Sequence, residues 1–156
     1  MNELTFDPNA FLAATTTESL DTRYIPIPIG EYPAIINQLA VRKQVNPKDQ
    51  TETWTILDIT YALDDAGVRE ATGLDNPTIR QSIFLDIDAG GDIDTAKGKN
   101  INLGRLREAL GLNTPGAEFS LSMLNGQACI VGTTQNPNAK DPDSPYSNVA
   151  KVGALT

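Results

Sequence analysis

Apolar and polar residues alternate with period two over several separate stretches of the chain, and proline, glycine and asparagine punctuate the gaps between them. Residues 31–43 predict a first strand, with Ile35, Leu39 and Val41 on one face and Tyr32, Ile36 and Arg42 on the other. Polar residues 44–50, with Pro47, predict a loop. Residues 51–63 carry the strongest strand signal, rich in Thr, Trp, Ile and Tyr, with Leu57, Ile59, Tyr61 and Leu63 in one apolar row. Residues 78–88 predict a third strand that turns Ile79, Ile83, Leu85 and Ile87 inward and Arg80, Ser82, Phe84 and Asp86 outward. Residues 127–134 and 147–155 predict a fourth and a fifth, joined by a long polar loop.

Period 3.6 replaces period two in one place. Leu103, Leu106 and Leu110 recur at spacings of three and four, which predicts a short amphipathic helix with Asn102 as its cap and Gly111 as its stop. The polar insertion at 64–77 predicts a shorter helix ending at Gly73, and a further turn is expected at 120–124. Residues 25–29 alternate with Pro26 and Pro28, as an extended edge segment does, because proline cannot donate to a ladder. The first 22 residues read as an arm, with a possible turn of helix at 8–14 and with Phe6 and Phe11 as the side chains expected to tie it down. Residues 23–156 then form one binding domain.

Three strands, a helix and two more strands are the chain order of an OB-fold. The expectation is therefore a mainly β protein: a five-stranded OB-fold-like Greek-key barrel with a helix between strands three and four and an N-terminal arm. A length of 156 residues suits one domain, and Gly and Pro together number 22, which favours many short strands over long helices.

Composition narrows the chemistry. The chain has no histidine, the commonest general base and zinc ligand, and its single Cys129 sits in the apolar run 128–131 without an imidazole to activate it. Cys129 is thus expected to be a small buried hydrophobe, and the protein a non-enzyme without a cofactor. The run AKGKN at 96–100 has the flavour of a phosphate loop but not its spacing. The acidic string at 86–94 offers Asp86, Asp88 and Asp92 to a calcium ion, yet Lys97 stands where a calcium loop needs its twelfth-position glutamate. A solvated, hairpin-like exit turning at Gly90 and Gly91 is the better reading. Acidic residues near the N-terminus, and the absence of a run of about 18 apolar residues, predict a soluble cytoplasmic protein with no membrane contact.

A net charge of −8 argues against coating nucleic acid by bulk attraction, but the charge is uneven. Alternation places Trp54, Arg80 and Phe84 on the sheet face opposite the core, an aromatic and cationic set suited to stacking bases and following phosphates. Arg42 of the first strand is expected on that outward face too, and the flanking loops add Lys43 and Lys48 on one side and Lys140 and Tyr146 on the other. Lys97, Lys99, Arg105 and Arg107 form the densest basic group, although Arg105 and Arg107 point to different sides of a helix. A blander reading stands beside this one: Trp54 and Phe84 cover a second small core beneath the insertion or the arm.

The pieces FDPNAF at 6–11, PIGEYPAII at 28–36, RQSIFLDID at 80–88, GKNINLGRLREALGL at 98–112, LNGQACIVG at 124–132 and SPYSNVAKV at 144–152 occur in an order that resembles a family of short phage proteins from replication and recombination modules. The resemblance spans almost the whole chain. It implies an OB-fold that protects single-stranded DNA in the cytoplasm of the host cell, without strong sequence preference and without a cofactor. Phage or host replication proteins are implied partners, and a homo-oligomer is possible. The chain ends in KVGALT where many proteins of that function carry an acidic tail, which puts recruitment through such a tail in doubt. The alternatives from other classes are a phage structural or decoration protein, an acidic protein-binding adaptor, and a sugar-binding module.

Overall fold

The computed structural model describes residues 6–21 and 24–155. Five antiparallel strands form one open sheet: β1 (Glu31–Asn46), β2 (Asp49–Leu63), β3 (Thr78–Leu85), β4 (Ala128–Asn136) and β5 (Tyr146–Gly153), in the spatial order β3-β2-β1-β4-β5. Three α-helices accompany them, α1 (Pro8–Ala13), α2 (Ala66–Thr72) and α3 (Ile101–Ala109), with a 3-10 turn at Leu121–Leu124. Among the described residues no ladder joins β3 to β5; α3 lies against both of them. No described helix is long and apolar enough to cross a membrane. The expected division between arm and domain at 22/23 lies outside the described residues.

The core collects one face of the sheet. Leu57, Ile59, Tyr61 and Leu63 of β2 form its central row, flanked by Ala34 and Ile36 of β1, Ile79, Ile83 and Leu85 of β3, and Cys129 and Val131 of β4. Leu103 and Leu106 of α3, Val68 of α2 and Leu124 close it over. Burial pushes the Cys129 thiol up to about 11, so it packs as an inert hydrophobe. The Tyr61 hydroxyl, buried with the rest of its ring, donates to Gln81 Oε1 at 2.7 Å.

Strand one departs from simple alternation. Ile36 pairs with Tyr61 and Gln38 with Thr60, so Asn37 is an extra residue, a bulge that exchanges the two faces of β1. Ala34 and Ile36 face the core before it and Leu39 after it, while Ile35 and Val41 are 48% and 56% exposed. The expected grouping of Ile35 with Leu39 and Val41, and of Ile36 with Arg42, is therefore corrected. Without the bulge Arg42 would share Ile36's face; with it, Arg42 comes to the opposite side.

The predicted loop at 44–50 is mostly strand. β1 and β2 pair out to Asn46 and Asp49, leaving only Pro47 and Lys48 in the turn. Asn46 Oδ1 accepts from Lys48 N, and Asp49 Oδ1 from Thr51 N and Thr51 Oγ1. These residues are polar because the hairpin projects past β3 and β4, so both of its faces are wet and the alternation fades.

The third strand ends at Leu85, earlier than expected, and Ile87 instead bridges Ile93 across a turn at Gly90 and Gly91. Within that hairpin-like exit Asp88 Oδ1 accepts from Gly90 N and Asp92 N. The helix that follows starts at Ile101, and Asn100, not Asn102, stands at its N-cap. Asn100 adopts left-handed backbone (φ 51°), which asparagine tolerates. Its side chain does not cap α3; it donates to the carbonyls of Asp86 and Asp94 and accepts from Asp86 N.

Residues 25–29 add no strand to the sheet, but Ile27 is buried and docks on its edge. Ile27 N donates to Ser147 Oγ, and Ile27 O accepts from Gln135 Nε2, both at 2.8 Å. The arm is not tied down as expected: Phe6 and Phe11 stack on one another at 5.6 Å and both remain exposed.

The central row predicts the stability response. Ile59→Ala removes methylenes that are fully buried in the core cluster, and is expected to lower unfolding free energy by about 2–5 kcal/mol in a urea titration. A loss below ~1 kcal/mol would mean that Ile59 is not packed in the core.

Candidate nucleic-acid interface

The second face of β2 is built from Trp54, Ile56, Asp58 and Thr60. Register places Gln44, Arg42 and Ala40 of β1 beside Trp54, Ile56 and Asp58, and Phe84, Ser82 and Arg80 of β3 beside Ile56, Asp58 and Thr60. Period two therefore delivers Trp54, Arg80 and Phe84 to one surface as expected, and Arg42 joins them there, also as expected, by way of the bulge at Asn37.

Asp58 organises the middle of this surface. It is 3% exposed, and its carboxylate accepts from Arg42 Nε at 2.7 Å, Arg80 Nη2 at 3.1 Å and Ser82 Oγ at 2.5 Å. Burial alone would raise its pKa. Hydrogen bonds from Ser82 and Arg42, with the charges of Arg80 and Arg42, outweigh burial and hold the carboxyl below the usual carboxylate range. Two guanidinium groups share one carboxylate, so the cluster keeps a net positive charge. Arg42 Nη1 also donates to Gln44 Oε1, which fixes its plane, and the Arg80 side chain is 65% exposed, its head held at one nitrogen.

Beside the arginines the rings of Trp54 and Phe84 meet edge to face, with centroids 5.2 Å apart and planes inclined at 61°. Phe84 is 55% exposed and Trp54 is half-buried, its Nε1 donating to Glu52 Oε1 at 3.3 Å. Ile56, flanked by Arg42 and Phe84, is fully buried beneath them. The aromatic pair thus has a small apolar floor while a ring surface remains open to solvent. Stacking on a planar apolar ligand and charge-assisted hydrogen bonding to an anion are both available within one patch.

The remaining sequence candidates are spread around this patch. Lys43 lies with Glu52, Trp54, Phe84 and Asp86 around a shallow cleft of about 410 Å³ at its end, and Lys48 is exposed at the hairpin tip. Tyr146 joins Tyr24, Pro26, Leu74 and Thr78 around a cleft of about 290 Å³ by the opposite end of β3, roughly 20 Å from Phe84 along the strand. Lys140 is exposed in the β4–β5 loop, and Lys97 and Lys99 are exposed in the β3–α3 loop. Arg105 faces the helix side of β3, where it shares a cleft with Gln81 and Lys151. Arg107, from the same basic group, sits 4.0 Å over the Phe119 ring and holds Leu112 O, a packing role.

Asp58 and Ser82 are the residues that sequence reasoning missed. The signal was present: an aspartate in the middle of the apolar run TILDITYAL, on the parity of Trp54 and opposite Ser82, has to find a cation. No protein-family model matches the chain, and a search of curated proteins returns no match.

A carboxylate whose pKa is depressed in the folded state contributes stability that is present above its ordinary pKa and is lost as pH falls through the folded value. Asp58→Asn is therefore expected to cost about 1–3 kcal/mol at pH 7, with the gap to the wild type closing as pH falls below the ordinary aspartate value of 3.8 and through the lowered folded value. Urea unfolding at several pH values measures this. A gap that stays constant on acidification would show that the Asp58 charge does not hold the cluster.

Proposed function

We propose that the protein is a non-catalytic single-stranded DNA-binding protein of a phage replication or recombination module, acting in the host cytoplasm. The observation that carries this reading is the Trp54–Phe84 pair beside Arg42 and Arg80, clamped by Asp58, on the uncovered face of β2 and β3. Bases stack on the rings without regard to sequence, and phosphates meet guanidinium groups already fixed in place. The strand order β3-β2-β1-β4-β5, with α3 between β3 and β4, supports an OB-fold whose third and fifth strands stay unjoined. In that fold the face of strands two and three is where single strands bind.

With a net charge of −8 the body repels DNA, so binding depends on the local patch and its flanking lysines. Binding through phosphates is expected to weaken steeply with salt. A second reading, an acidic adaptor or decoration protein, is favoured by the exposed apolar side chains of the arm. It predicts co-purification with virions and no DNA affinity.

Titration with a dT oligomer is expected to quench the fluorescence of the lone Trp54 at low salt. In anisotropy with a labelled oligomer, Phe84→Ala is expected to weaken binding by about 1–3 kcal/mol. Arg80→Ala is expected to reduce the slope of log K against log salt by ~0.7. Neither quenching nor an anisotropy change at micromolar protein would overturn the proposal.

A further inference from the structure

The rings of Trp54 and Phe84 open at one end onto the cleft of about 410 Å³, and the walls of that cleft differ in charge from the rest of the face. Beside the two rings it is lined by two carboxylates, those of Glu52 and Asp86. Lys43 also lines it, but Lys43 pairs with Thr55 of β2, which has the parity opposite to that of Trp54. Both carboxylates are held in place. Glu52 Oε2 accepts from Asn46 Nδ2 at 2.9 Å and its Oε1 from the indole Nε1 of Trp54 at 3.3 Å, which ties the group to the edge of the ring. Asp86 Oδ2 accepts from Asn100 N at 2.8 Å. A carboxylate offers about four acceptor sites, so both groups retain the capacity to accept from a ligand.

These walls decide which part of a nucleotide enters. A phosphate in the cleft meets two carboxylates and is repelled, whereas at the Asp58 cluster, where Arg80 lies roughly 13 Å from Phe84 along β3, it meets guanidinium groups. The part suited to the cleft is a base. Stacking on the rings does not distinguish one base from another, but hydrogen bonding to the wall does. Asp and Glu side chains accept from the N4 amino group of cytosine, and thymine sets a carbonyl oxygen, O4, at the same place. A carbonyl facing a carboxylate opposes two acceptors with no proton between them.

We propose, on the reading of this face as a stacking surface for single-stranded DNA, that Glu52 and Asp86 make the Trp54–Phe84 cleft a base-selective subsite that favours cytosine over thymine. Thymine still stacks on the rings, so a dT oligomer binds, but more weakly than dC. Adenine carries an amino donor of the same kind at N6; cytosine and thymine are the sharper pair because their ring size is the same.

Titration of Trp54 fluorescence with dC, dT and dU oligomers of equal length at one salt concentration tests this, with Kd taken from the midpoint and not from the extent of quenching. The dC oligomer is expected to bind about tenfold more tightly than dT. The dU oligomer, which lacks thymine's methyl group and keeps its O4, is expected to bind like dT. Glu52→Gln and Asp86→Asn, both at exposed positions, are expected to leave thermal unfolding unchanged and to reduce the preference for dC to about threefold or less, because an amide can turn its NH2 toward the O4 of thymine. Loss of charge alone would tighten dC and dT by one factor and leave their ratio unchanged. A wild type that binds dC and dT alike, a dU oligomer that binds like dC, or a preference that survives both substitutions would overturn the proposal while DNA binding by this face stands. No response of Trp54 to any of the three oligomers would overturn the reading of the face, and the base preference with it.

Discussion

A carboxylate 3% exposed in the middle of a strand is tolerable only if cations and hydrogen bonds replace the water it has lost, and Asp58 of β2 draws Arg42, Arg80 and Ser82 to itself for that reason. The demand reaches into both neighbouring strands. It requires Arg80 and Ser82 to share a parity on β3, and it requires Arg42 to leave the face of Ile36, which the bulge at Asn37 accomplishes. Ile56 and the Trp54–Phe84 pair then complete a surface whose side chains are held before any ligand arrives.

That constraint also reconciles the acidic composition with the anionic ligand proposed for this face. A lone surface arginine on a body of net charge −8 would be surrounded by competing carboxylates. Two arginines on a single buried carboxylate retain positive charge and a fixed orientation, so that less side-chain entropy would be lost on binding the proposed phosphate. The lysines at the hairpin tip and in the loops lack such fixation and add mainly to the local field.

The face of β2 and β3 was legible because both strands obey period two over their buried length: the row 57, 59, 61, 63 and its opposite follow from one rule. The bulge was not legible, since Asn37 is an ordinary polar residue and a one-residue insertion shows only through its pairing partner. The projecting hairpin was hidden for a different reason, because strands wet on both faces carry no alternation. Asn100 misled in a third way: the helix pattern begins at Leu103, and the residue that organises its start bonds to the backbone of Asp86 and Asp94 through left-handed geometry. The arm misled as well: Phe6 and Phe11 were expected to tie it down, but the two rings pack on one another, a contact local to the arm that leaves both exposed.

The claim with most resting on it is that single-stranded DNA meets the Asp58-clamped face. NMR of isotope-labelled protein titrated with an unlabelled dT oligomer resolves the indole Nε1–H of Trp54 and the Nε–H of Arg42 and Arg80. These signals and the amides of β2 and β3 are expected to shift together and saturate at one stoichiometry. Saturable shifts confined to the helix side of β3, around Arg105 and Lys151, with the Trp54 indole unmoved, would contradict it.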